Sequence, residues 1–430
     1  MKKRLFAILC ALVLLVGAVP AAAALEGEAL RAADTLAALR LVEDGPDYAL
    51  DKPATRVQAA VLLVRLAGAE QAAAKDQWIS GFVDVPAWAN TAVTYAAHQG
   101  WVSGTSLTQF SPNSAVTANA WCAMLLRMLG YSDKAGDFTV SDAAAFAQRI
   151  GLVSRGYDGA MTRGELFETM RDALTFSYKD GGTVIERLVE RGVSTRATAN
   201  ALGLLDGTLT ARQAADRHMA AVFCLDAYEK QKQIEENEPS ANASGFFISA
   251  DGLAVTNYHS IEDAIYATVT LSTGEVYPVE AVIYYDVDID IAVLRVSQTS
   301  TARKTTSAFA YLELVGVGDI RPGDEVYTLG NPLGLGLAVS SGIISATGRE
   351  VENYALPCVM NTADISRGSS GGALLNIRGQ VIAVTTGAYT YGNNMYLAVP
   401  VDPVMEADLT VPGITLAEVV KAEAAKSAKD

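Results

Sequence analysis

Apolar residues recur at one spacing in the first half of the chain and at another in the second half. From about residue 25 to residue 237 they recur every three or four positions among dense alanine and leucine, as in amphipathic helices. After Pro239 they form short β-branched runs separated by turns such as Asp251-Gly252. The pattern predicts a helical half followed by an all-β half. The predicted strands cover residues 244–248, 253–256, 266–271, 276–285, 291–296, 325–329, 339–346, 381–386 and 396–399.

A short apolar run precedes the helical half. Lys2, Lys3 and Arg4 are followed by apolar residues 5–19 and then by small residues up to Ala24. This order is typical of a secretory signal peptide, and the run is short for a membrane span of about 20 residues. We therefore expect removal of residues 1–24, no membrane span in the mature protein, and a secreted or otherwise extracytoplasmic location.

Composition narrows the classes of function. The 430 residues include 48 acidic and 33 basic side chains, for a formal net charge of −15. This balance argues against a nucleic-acid partner held through a basic surface. Four cysteines are too few for a disulfide scaffold, and Cys122, Cys224 and Cys358 stand in apolar contexts that predict buried thiols. Three histidines and the absence of CxxC and HExxH spacings predict neither a metal site nor a cofactor.

Three units of about 40–50 residues follow one another in the helical half. The middle unit, residues 82–131, contains FVDVPAWANTAVTYAAHQGWVSG and then a helix-like run after Pro112. Residues 33–68 contain ALRLVEDG and ATRVQAAVLLVRLAG, and residues 144–174 contain FAQRIGLVS and MTRGELFETMRDAL. Each unit predicts two helices joined by a glycine-containing turn.

The middle unit resembles the S-layer homology (SLH) domain. The matching positions are Phe82, Asp84, Val85, Trp88, Ala89, Tyr95, Ala96, Gly100, Gly104, Phe110 and Pro112. The resemblance spans residues 25–178 and is weaker in the outer units, which lack the FxDV opening. It implies binding of cell-wall polysaccharide, with polymer pockets at Thr55-Arg56 and Thr162-Arg163. The middle unit departs from the pattern, since Thr117 is followed by Ala118.

The Thr-Arg pairs also have an interpretation without a ligand. An arginine fork suits a carboxylate on a polymer. Thr55 with Gln58 and Thr162 with Glu165, however, form capping-box patterns that start a helix on their own. Both interpretations stay open from the sequence.

Residues 179–240 are predicted to be a helical connector. Thr210 with Gln213 predicts the start of a helix that runs to about Glu236, with His218 in a structural role. The stretch EENEPS at 235–240 predicts the boundary of the next domain, which we place at 241–404. Residues 405–430 are predicted to be a polar helix or tail.

Three segments of the β-rich half carry the elements of nucleophilic catalysis. AVTNYHSI contains His259, DVDIDIAVLRV contains Asp290, and ISRGSSGGALLN contains Ser370. A serine hydroxyl needs a base to remove its proton, histidine is such a base near neutral pH, and a carboxylate orients the histidine. Asp286 and Asp288 share the alternating pattern with Asp290, and Asp288 is the alternative carboxylate.

Chain order separates the possible folds. GSSGG fits the nucleophile elbow of α/β-hydrolases, but that fold has its histidine after the serine, and here every histidine precedes Ser370. The order His, Asp, Ser is that of chymotrypsin-type enzymes, and the short strands argue against the subtilisin fold. GNPLGLGL at 330–337 lacks the Lys-Ser/Thr ending of a phosphate loop, which favours a barrel loop.

The β-rich half resembles the HtrA/Deg group of trypsin-like serine proteases. TNYHS, DIAVL, TLGNPLGLGLAVSSGIISATGR and ISRGSSGGALLN carry the resemblance over residues 242–402. It implies two packed six-stranded β-barrels, with His259 as base, Asp290 as its partner and Ser370 as nucleophile. It also implies an oxyanion hole of the Gly368 and Ser370 amides lined by Ser369, which replaces the family's usual asparagine.

Specificity and partners are less defined by the sequence. Asp364, six residues before Ser370, could select a basic side chain or could simply be exposed or hydrogen-bonded. We expect strand residues Thr385, Thr386 and Gly387 to pair with the backbone of a polypeptide substrate. About 28 residues follow Asp402, too few for the PDZ domain common in this group, and an oligomer stays open. The alternative to an endopeptidase is a wall-binding protein whose protease-like domain only binds peptides.

Overall fold

Helices build the first half of the chain. The computed structural model describes residues 21–43, 48–205, 207–388 and 394–428, so most of the predicted signal peptide lies outside the described residues. The helices are α1 (Ala21–Ala38), α2 (Arg56–Leu66), α3 (Glu70–Lys75), α4 (Ala87–His98), α5 (Ala118–Met128), α6 (Ala143–Arg149), α7 (Arg163–Ala173), α8 (Val184–Glu190), α9 (Arg196–Ala201), α10 (Ala211–His218), α11 (Gln231–Glu236), α12 (Asp402–Glu406) and α13 (Leu416–Ser427). No helix in these ranges is long and apolar enough to cross a membrane.

Six of the first seven helices, all but α3, form three pairs. α2 packs on α4, α5 packs on α6, and α7 packs back on α1. The segments that precede α2, α5 and α7 meet at the centre, where Val116 donates to Ala54, Ala54 to Met161, and Met161 to Val116, each over 2.9 Å between backbone N and O. Because each helix pair buries its apolar face against the next, the three units depend on one another.

Twelve strands form two closed barrels. They are β1 (Val222–Tyr228), β2 (Ala241–Phe247), β3 (Leu253–Thr256), β4 (Tyr266–Leu271), β5 (Val276–Asp286), β6 (Ile291–Val296), β7 (Glu325–Gly330), β8 (Ala338–Val351), β9 (Tyr354–Asn361), β10 (Ala373–Asn376), β11 (Val381–Ala388) and β12 (Tyr396–Pro400). The first barrel has the strand order β1-β2-β3-β6-β5-β4, and the second has β10-β11-β12-β9-β8-β7. All pairings within the barrels are antiparallel, and the predicted double barrel is confirmed.

The predicted connector is wrong in its second part. The helix that begins after Thr210 ends at His218, and residues 222–228 form strand β1 instead of continuing the helix to Glu236. β1 pairs with β2 on one side and β4 on the other, so it completes the first barrel. The aromatic and branched residues Val222, Phe223 and Leu225 are fully buried there, which outweighs the helical spacing of the local sequence.

The C-terminal segment is a helix, but it is not a free tail. Ile414 exchanges two backbone hydrogen bonds with Val282 of β5, at 2.7 and 2.9 Å. α13 then buries Leu416 and Val419 against the first barrel. These two apolar side chains, spaced three apart in an otherwise polar helix, explain why it lies on the barrel.

The helical half contacts the first barrel through Arg149 at the end of α6. Its guanidinium is 2% exposed and pairs in fork geometry with Glu275 of the β4–β5 turn, at 2.8 and 2.7 Å. The Ser307 hydroxyl donates to the Asp137 carbonyl at 2.6 Å in the same region. The helical half is thereby joined to the barrel by the buried Arg149 pair and an exposed hydrogen bond as well as by the chain.

Candidate active site

His259 contacts Asp290, and Thr386 of the second barrel contacts both Asp290 and Ser370. His259 lies in a short turn directly after β3, and Asp290 lies directly before β6, which pairs with β3. Ser370 lies in the turn before β10 of the second barrel. The first barrel therefore supplies the imidazole and the carboxylate, and the second barrel supplies the hydroxyl.

Asp290 contacts His259 through both its ring and its backbone. Nδ1 of His259 lies 2.8 Å from Oδ2 and 3.0 Å from Oδ1, and the backbone N–H donates to Oδ1 at 2.9 Å. Asp290 is buried and has a left-handed φ of 64°, which aspartate tolerates better than most residues. Because a carboxylate at Nδ1 favours the proton there, Nε2 is left as the basic nitrogen.

The alternative carboxylates lie elsewhere. Asp288 is exposed. Asp286 accepts hydrogen bonds from the backbone N–H groups of Asp288 and Ile289, each at 3.0 Å, and so closes the turn that leads to Asp290. Of the three aspartates in this segment, Asp290 is the one that contacts the imidazole.

Thr386 has a place that the sequence did not predict. Its hydroxyl donates to Oδ2 of Asp290 at 2.7 Å and lies 3.1 Å from the hydroxyl of Tyr354. The register of β11 against β12 shifts between Thr385 and Gly387, so Thr386 is the extra residue of a bulge. The bulge turns this side chain toward the carboxylate, while its carbonyl stays in the cleft.

The Ser370 hydroxyl is directed at that carbonyl. Its Oγ donates to the backbone oxygen of Thr386 at 3.1 Å. Within the described residues, no hydrogen bond joins Ser370 to His259. A serine hydroxyl changes partners by rotating about χ1 between staggered positions.

The turn that carries Ser370 has two amides without an acceptor among the described residues. Gly368 has a φ of 91°, which glycine adopts without strain. Neither the Gly368 N–H nor the Ser370 N–H donates to a protein acceptor in the part of the chain that the structure describes. Ser369 is buried, and its hydroxyl accepts from the Ser366 N–H at 3.3 Å. The two amides are thus available to an oxyanion.

A cavity of about 270 Å³ lies beside this turn. Its lining includes Leu329, Val339, Asp364, Ile365 and Thr385. The Asp364 carboxylate is exposed and accepts a hydrogen bond from the Tyr396 hydroxyl, which raises the pKa of that tyrosine. The Thr385 hydroxyl is buried and donates to the Ser369 carbonyl at 2.7 Å, so its side chain supports the turn.

The Cys358 thiol and the Tyr354 hydroxyl near Asp290 stay protonated. Burial and the charge of Asp290 raise the pKa of the Cys358 thiol to about 11, and burial raises the pKa of Tyr354.

Cys358 and Cys122 are buried as expected, but Cys224 is half-buried. No cluster of three or more histidine, cysteine, aspartate or glutamate side chains in the described ranges could hold a metal ion.

The two Thr-Arg pairs of the helical half have different surroundings. Both threonines cap their helices in complete capping boxes. Arg56 donates to the backbone oxygens of Phe110 and Ser103, at 3.0 and 2.8 Å, and its guanidinium lies 4.9 Å from the Phe110 ring centre. The Arg56 guanidinium is therefore hydrogen-bonded to the loop before α5.

Arg163 borders a cavity instead. The cavity has a volume of about 270 Å³, and its lining includes Glu43, Tyr48, Arg65, Trp88 and Arg163. The buried Nε of Arg163 has no hydrogen-bond partner among the residues described. A buried donor without a partner costs free energy.

Comparisons with known proteins divide the chain in the same way. Residues 243–384 match the family model described as trypsin-like peptidase domain. Residues 86–193 match that of the N-terminal region of X-prolyl dipeptidyl aminopeptidase PepX.

Similar proteins match the β-rich half. A probable periplasmic serine endoprotease DegP-like of Bartonella henselae is 34% identical over 43% of this chain and 37% of its own length. The mitochondrial serine protease HTRA2 of Bos taurus is 36% identical over 39% of this chain and 36% of its own length. The chain therefore covers little more than a third of these relatives.

A solved structure, the HtrA-type protease AlgW with tripeptide, is 29% identical with a TM-score of 0.40, over 46% of this chain and 62% of that one. The two barrels and the family match both lie in the β-rich half of the chain. The β-rich half of this chain is similar to trypsin-like serine protease domains of the HtrA/DegP kind.

Proposed function

We propose that this protein is an extracytoplasmic serine endopeptidase that cleaves polypeptides through an acyl-enzyme on Ser370. The observation that carries the proposal is the His259–Asp290 pair, joined at 2.8 Å, together with a serine whose turn has two amides without an acceptor among the described residues. The DegP-like relatives are named as periplasmic, which supports a location outside the cytoplasm together with the apolar N-terminal run.

The first chemical step forms a bond between Ser370 Oγ and the carbonyl carbon of the scissile peptide. The hydroxyl proton moves to Nε2 of His259, and the π electrons of the carbonyl move to its oxygen. The amides of Gly368 and Ser370 would stabilise that oxyanion. When the carbonyl re-forms, the C–N bond breaks and His259 returns its proton to the leaving amine. Water then repeats both steps on the ester and releases Ser370.

Substrate would bind as an extended strand beside β11, with its backbone N–H at the Thr386 carbonyl. A substrate N–H there would compete with the Ser370 hydroxyl for the same oxygen and favour rotation of the hydroxyl toward His259. The aliphatic lining of the adjacent cavity favours an uncharged side chain, since the Asp364 carboxylate is occupied by Tyr396.

Fluorophosphonate labelling tests the proposal. The probe should modify Ser370 in the wild-type protein, as shown by peptide mapping, and should fail on Ser370→Ala. Ser369→Ala is the matched control, because it removes the neighbouring hydroxyl and should keep the label. Label on another residue, or casein cleavage by Ser370→Ala, would overturn the assignment of the nucleophile.

A second candidate function is a latent or peptide-binding module. The contact of Ser370 Oγ with the Thr386 carbonyl favours it, because the hydroxyl is then not bonded to its base. A folded wild-type protein that binds peptides but neither takes the label nor cleaves casein would favour this candidate over the endopeptidase.

The helical half would associate the enzyme with a cell-wall polysaccharide. Support comes from the resemblance to SLH units and from the cavity in which Arg163 has an unpaired buried donor beside Trp88. A carboxylate on the polymer suits the arginine, and an aromatic face suits a sugar ring.

Sedimentation with purified cell walls tests this association. Arg163→Ala should lower the bound fraction. Arg196→Ala is the matched control, because Thr195-Arg196 also starts a helix but lies outside the three units. Equal sedimentation of both variants and the wild type would contradict the role of Arg163. If none of the three proteins sediments with the walls, the wall association itself is contradicted.

A further inference from the structure

Ser244 of β2 in the first barrel contacts the nucleophile turn of the second barrel. It is fully buried, and it is hydrogen-bonded to Gly368 and Ser370 of that turn. Its distance in sequence from Ser370, 126 positions in the numbering, places it outside any local motif of the nucleophile.

Four hydrogen bonds converge on Ser244. Its hydroxyl donates to the Gly368 carbonyl at 2.7 Å and accepts from the Asn331 N–H at 2.7 Å. Its own N–H donates to the Ser370 carbonyl at 2.8 Å, and its carbonyl accepts from the Thr256 hydroxyl at 2.8 Å. Every polar group of Ser244 is therefore engaged, and two of these bonds reach the nucleophile turn.

These contacts hold the peptide planes of the turn from outside. A peptide unit is planar, so fixing its carbonyl oxygen also fixes the direction of its N–H. The plane between Gly368 and Ser369 is held at both ends, by Ser244 Oγ on the oxygen and by the Ser366 carbonyl on the Ser369 N–H at 2.9 Å. This plane directly follows the Gly368 N–H and directly precedes the plane that carries the Ser370 N–H.

The next plane has a different support. The Ser369 carbonyl accepts from the Thr385 hydroxyl at 2.7 Å and from the Gly372 N–H at 2.9 Å, both within the second barrel. The second barrel thus orients the Ser370 N–H by itself. The Gly368–Ser369 plane, in contrast, is held by the Ser244 side chain of the first barrel. Glycine with a φ of 91° lacks a side chain to restrict it, so an external restraint matters most there.

We propose that the Ser244 hydroxyl is a positioning residue for the oxyanion hole, because it fixes the Gly368–Ser369 peptide plane that lies between the Gly368 N–H and the Ser370 N–H. The inference rests on the proposed function, since it assigns to Ser244 a task in forming the oxyanion site around Ser370. It also couples the two barrels, because the donor to Gly368 comes from the barrel that carries His259 and Asp290.

The test compares Ser244→Ala with Ser297→Ala. Ser297 is a buried serine of the same barrel whose hydroxyl accepts from the Thr299 N–H at 3.2 Å, so it controls for the loss of a buried hydroxyl. With a fluorogenic peptide that the wild type cleaves, Ser244→Ala should lower kcat about tenfold and leave KM within about twofold, since deleting an oxyanion donor outright costs about 10²–10³ in kcat. Ser297→Ala should change neither.

A second readout separates positioning from a general loss of structure. A peptide aldehyde forms a tetrahedral adduct with a serine, and the matched peptide alcohol does not. Ser244→Ala should weaken the aldehyde about tenfold and the alcohol hardly at all. Equal kcat in Ser244→Ala and wild type, or equal weakening of aldehyde and alcohol, would overturn the inference. Failure of the proposed function would look different, because the wild type would then neither cleave the peptide nor take the fluorophosphonate.

Discussion

Asp290 receives hydrogen bonds from two segments that are far apart in the chain. His259 contributes its ring and its backbone N–H, and Thr386 contributes its hydroxyl. A buried carboxylate needs such partners, because desolvation without them is costly. The imidazole is thus held by a carboxylate that is itself held by the second barrel.

Replacing the carboxylate by an amide should remove most of the activity. In Asp290→Asn, only one side-chain atom can accept a hydrogen bond from Nδ1 of His259, because the amide nitrogen is a donor. We expect kcat to fall on the order of 10⁴-fold, as is typical for this type of triad. Asp288→Asn is the matched control in the exposed position two residues earlier and should keep wild-type kcat. Steady-state cleavage of a fluorogenic peptide measures both, and the reverse order of effects would reassign the carboxylate.

The Thr386 hydroxyl should matter through Asp290. Thr386→Val removes the donor at 2.7 Å while keeping the branched shape, so Oδ2 of Asp290 keeps only its contact with His259. We expect a fall in kcat of about tenfold, since a hydrogen bond to a charged group contributes about 1.5–3 kcal/mol. Thr386→Ser keeps the hydroxyl and should restore kcat, and a Thr386→Ser variant as slow as Thr386→Val would point to packing instead.

At the scale of elements, α10 connects the helical half to the second barrel. His218 at its end lies against the β10–β11 turn, where a Cβ on Gly379 would come 2.1 Å from Nε2. Burial, with a contribution from the charge of Arg217, lowers the pKa of His218 to about 4. The predicted structural role of this histidine agrees with an imidazole kept neutral inside a packed contact.

The lowered pKa of His218 predicts a loss of stability in mild acid. The unfolded chain binds this proton near pH 6.5 and the folded chain only near pH 4, so the contribution is present above pH 6.5 and is lost as the pH falls toward 4. His218→Gln should lose less stability over this range. Thermal unfolding at pH 7, 5.5 and 4.5 measures the difference, and parallel curves for both proteins would contradict the pKa shift.

At the scale of the whole molecule, one ion pair joins the helical half to the first barrel. Arg149 is almost fully buried, and burial opposes its charge, but the hydrogen bonds and charge of Glu275 outweigh burial and raise its pKa. The same pairing lowers the pKa of Glu275 against the effect of its own burial. Each charge therefore depends on the other.

Removing one partner should be more harmful than removing both. We expect Arg149→Met to lower the free energy of unfolding by about 3–5 kcal/mol, because it leaves the Glu275 charge uncompensated, and the double variant Arg149→Met with Glu275→Met to recover much of it. Arg295→Met, which breaks the more exposed pair with Asp251, is the control and should cost at most about 1 kcal/mol. Denaturant unfolding monitors all three, and a double variant less stable than Arg149→Met would contradict this account.

Prediction from the sequence succeeded where short-range pattern carries the information. The period-two runs predicted most of the barrel strands. It failed at residues 222–228, where apolar residues fit a helix as well as a strand. These residues form a strand because they pair with β2 and β4, and the local sequence pattern does not contain that pairing.

The sequence by itself determined the residue types, their order and the periodicity that divides the chain. These were enough to predict an all-β second half and to propose His259, Asp290 and Ser370 for its chemistry, and the resemblance to the HtrA/Deg proteases added the double barrel. Only the tertiary structure decided which donors reach a given acceptor: Thr386 on Asp290, Ser244 on Gly368, and Arg56 rather than Arg163 on the loop before α5. The physical reason is that a hydrogen bond depends on distance and direction within a few tenths of an ångström, and those are set by the packing of segments far apart in the chain.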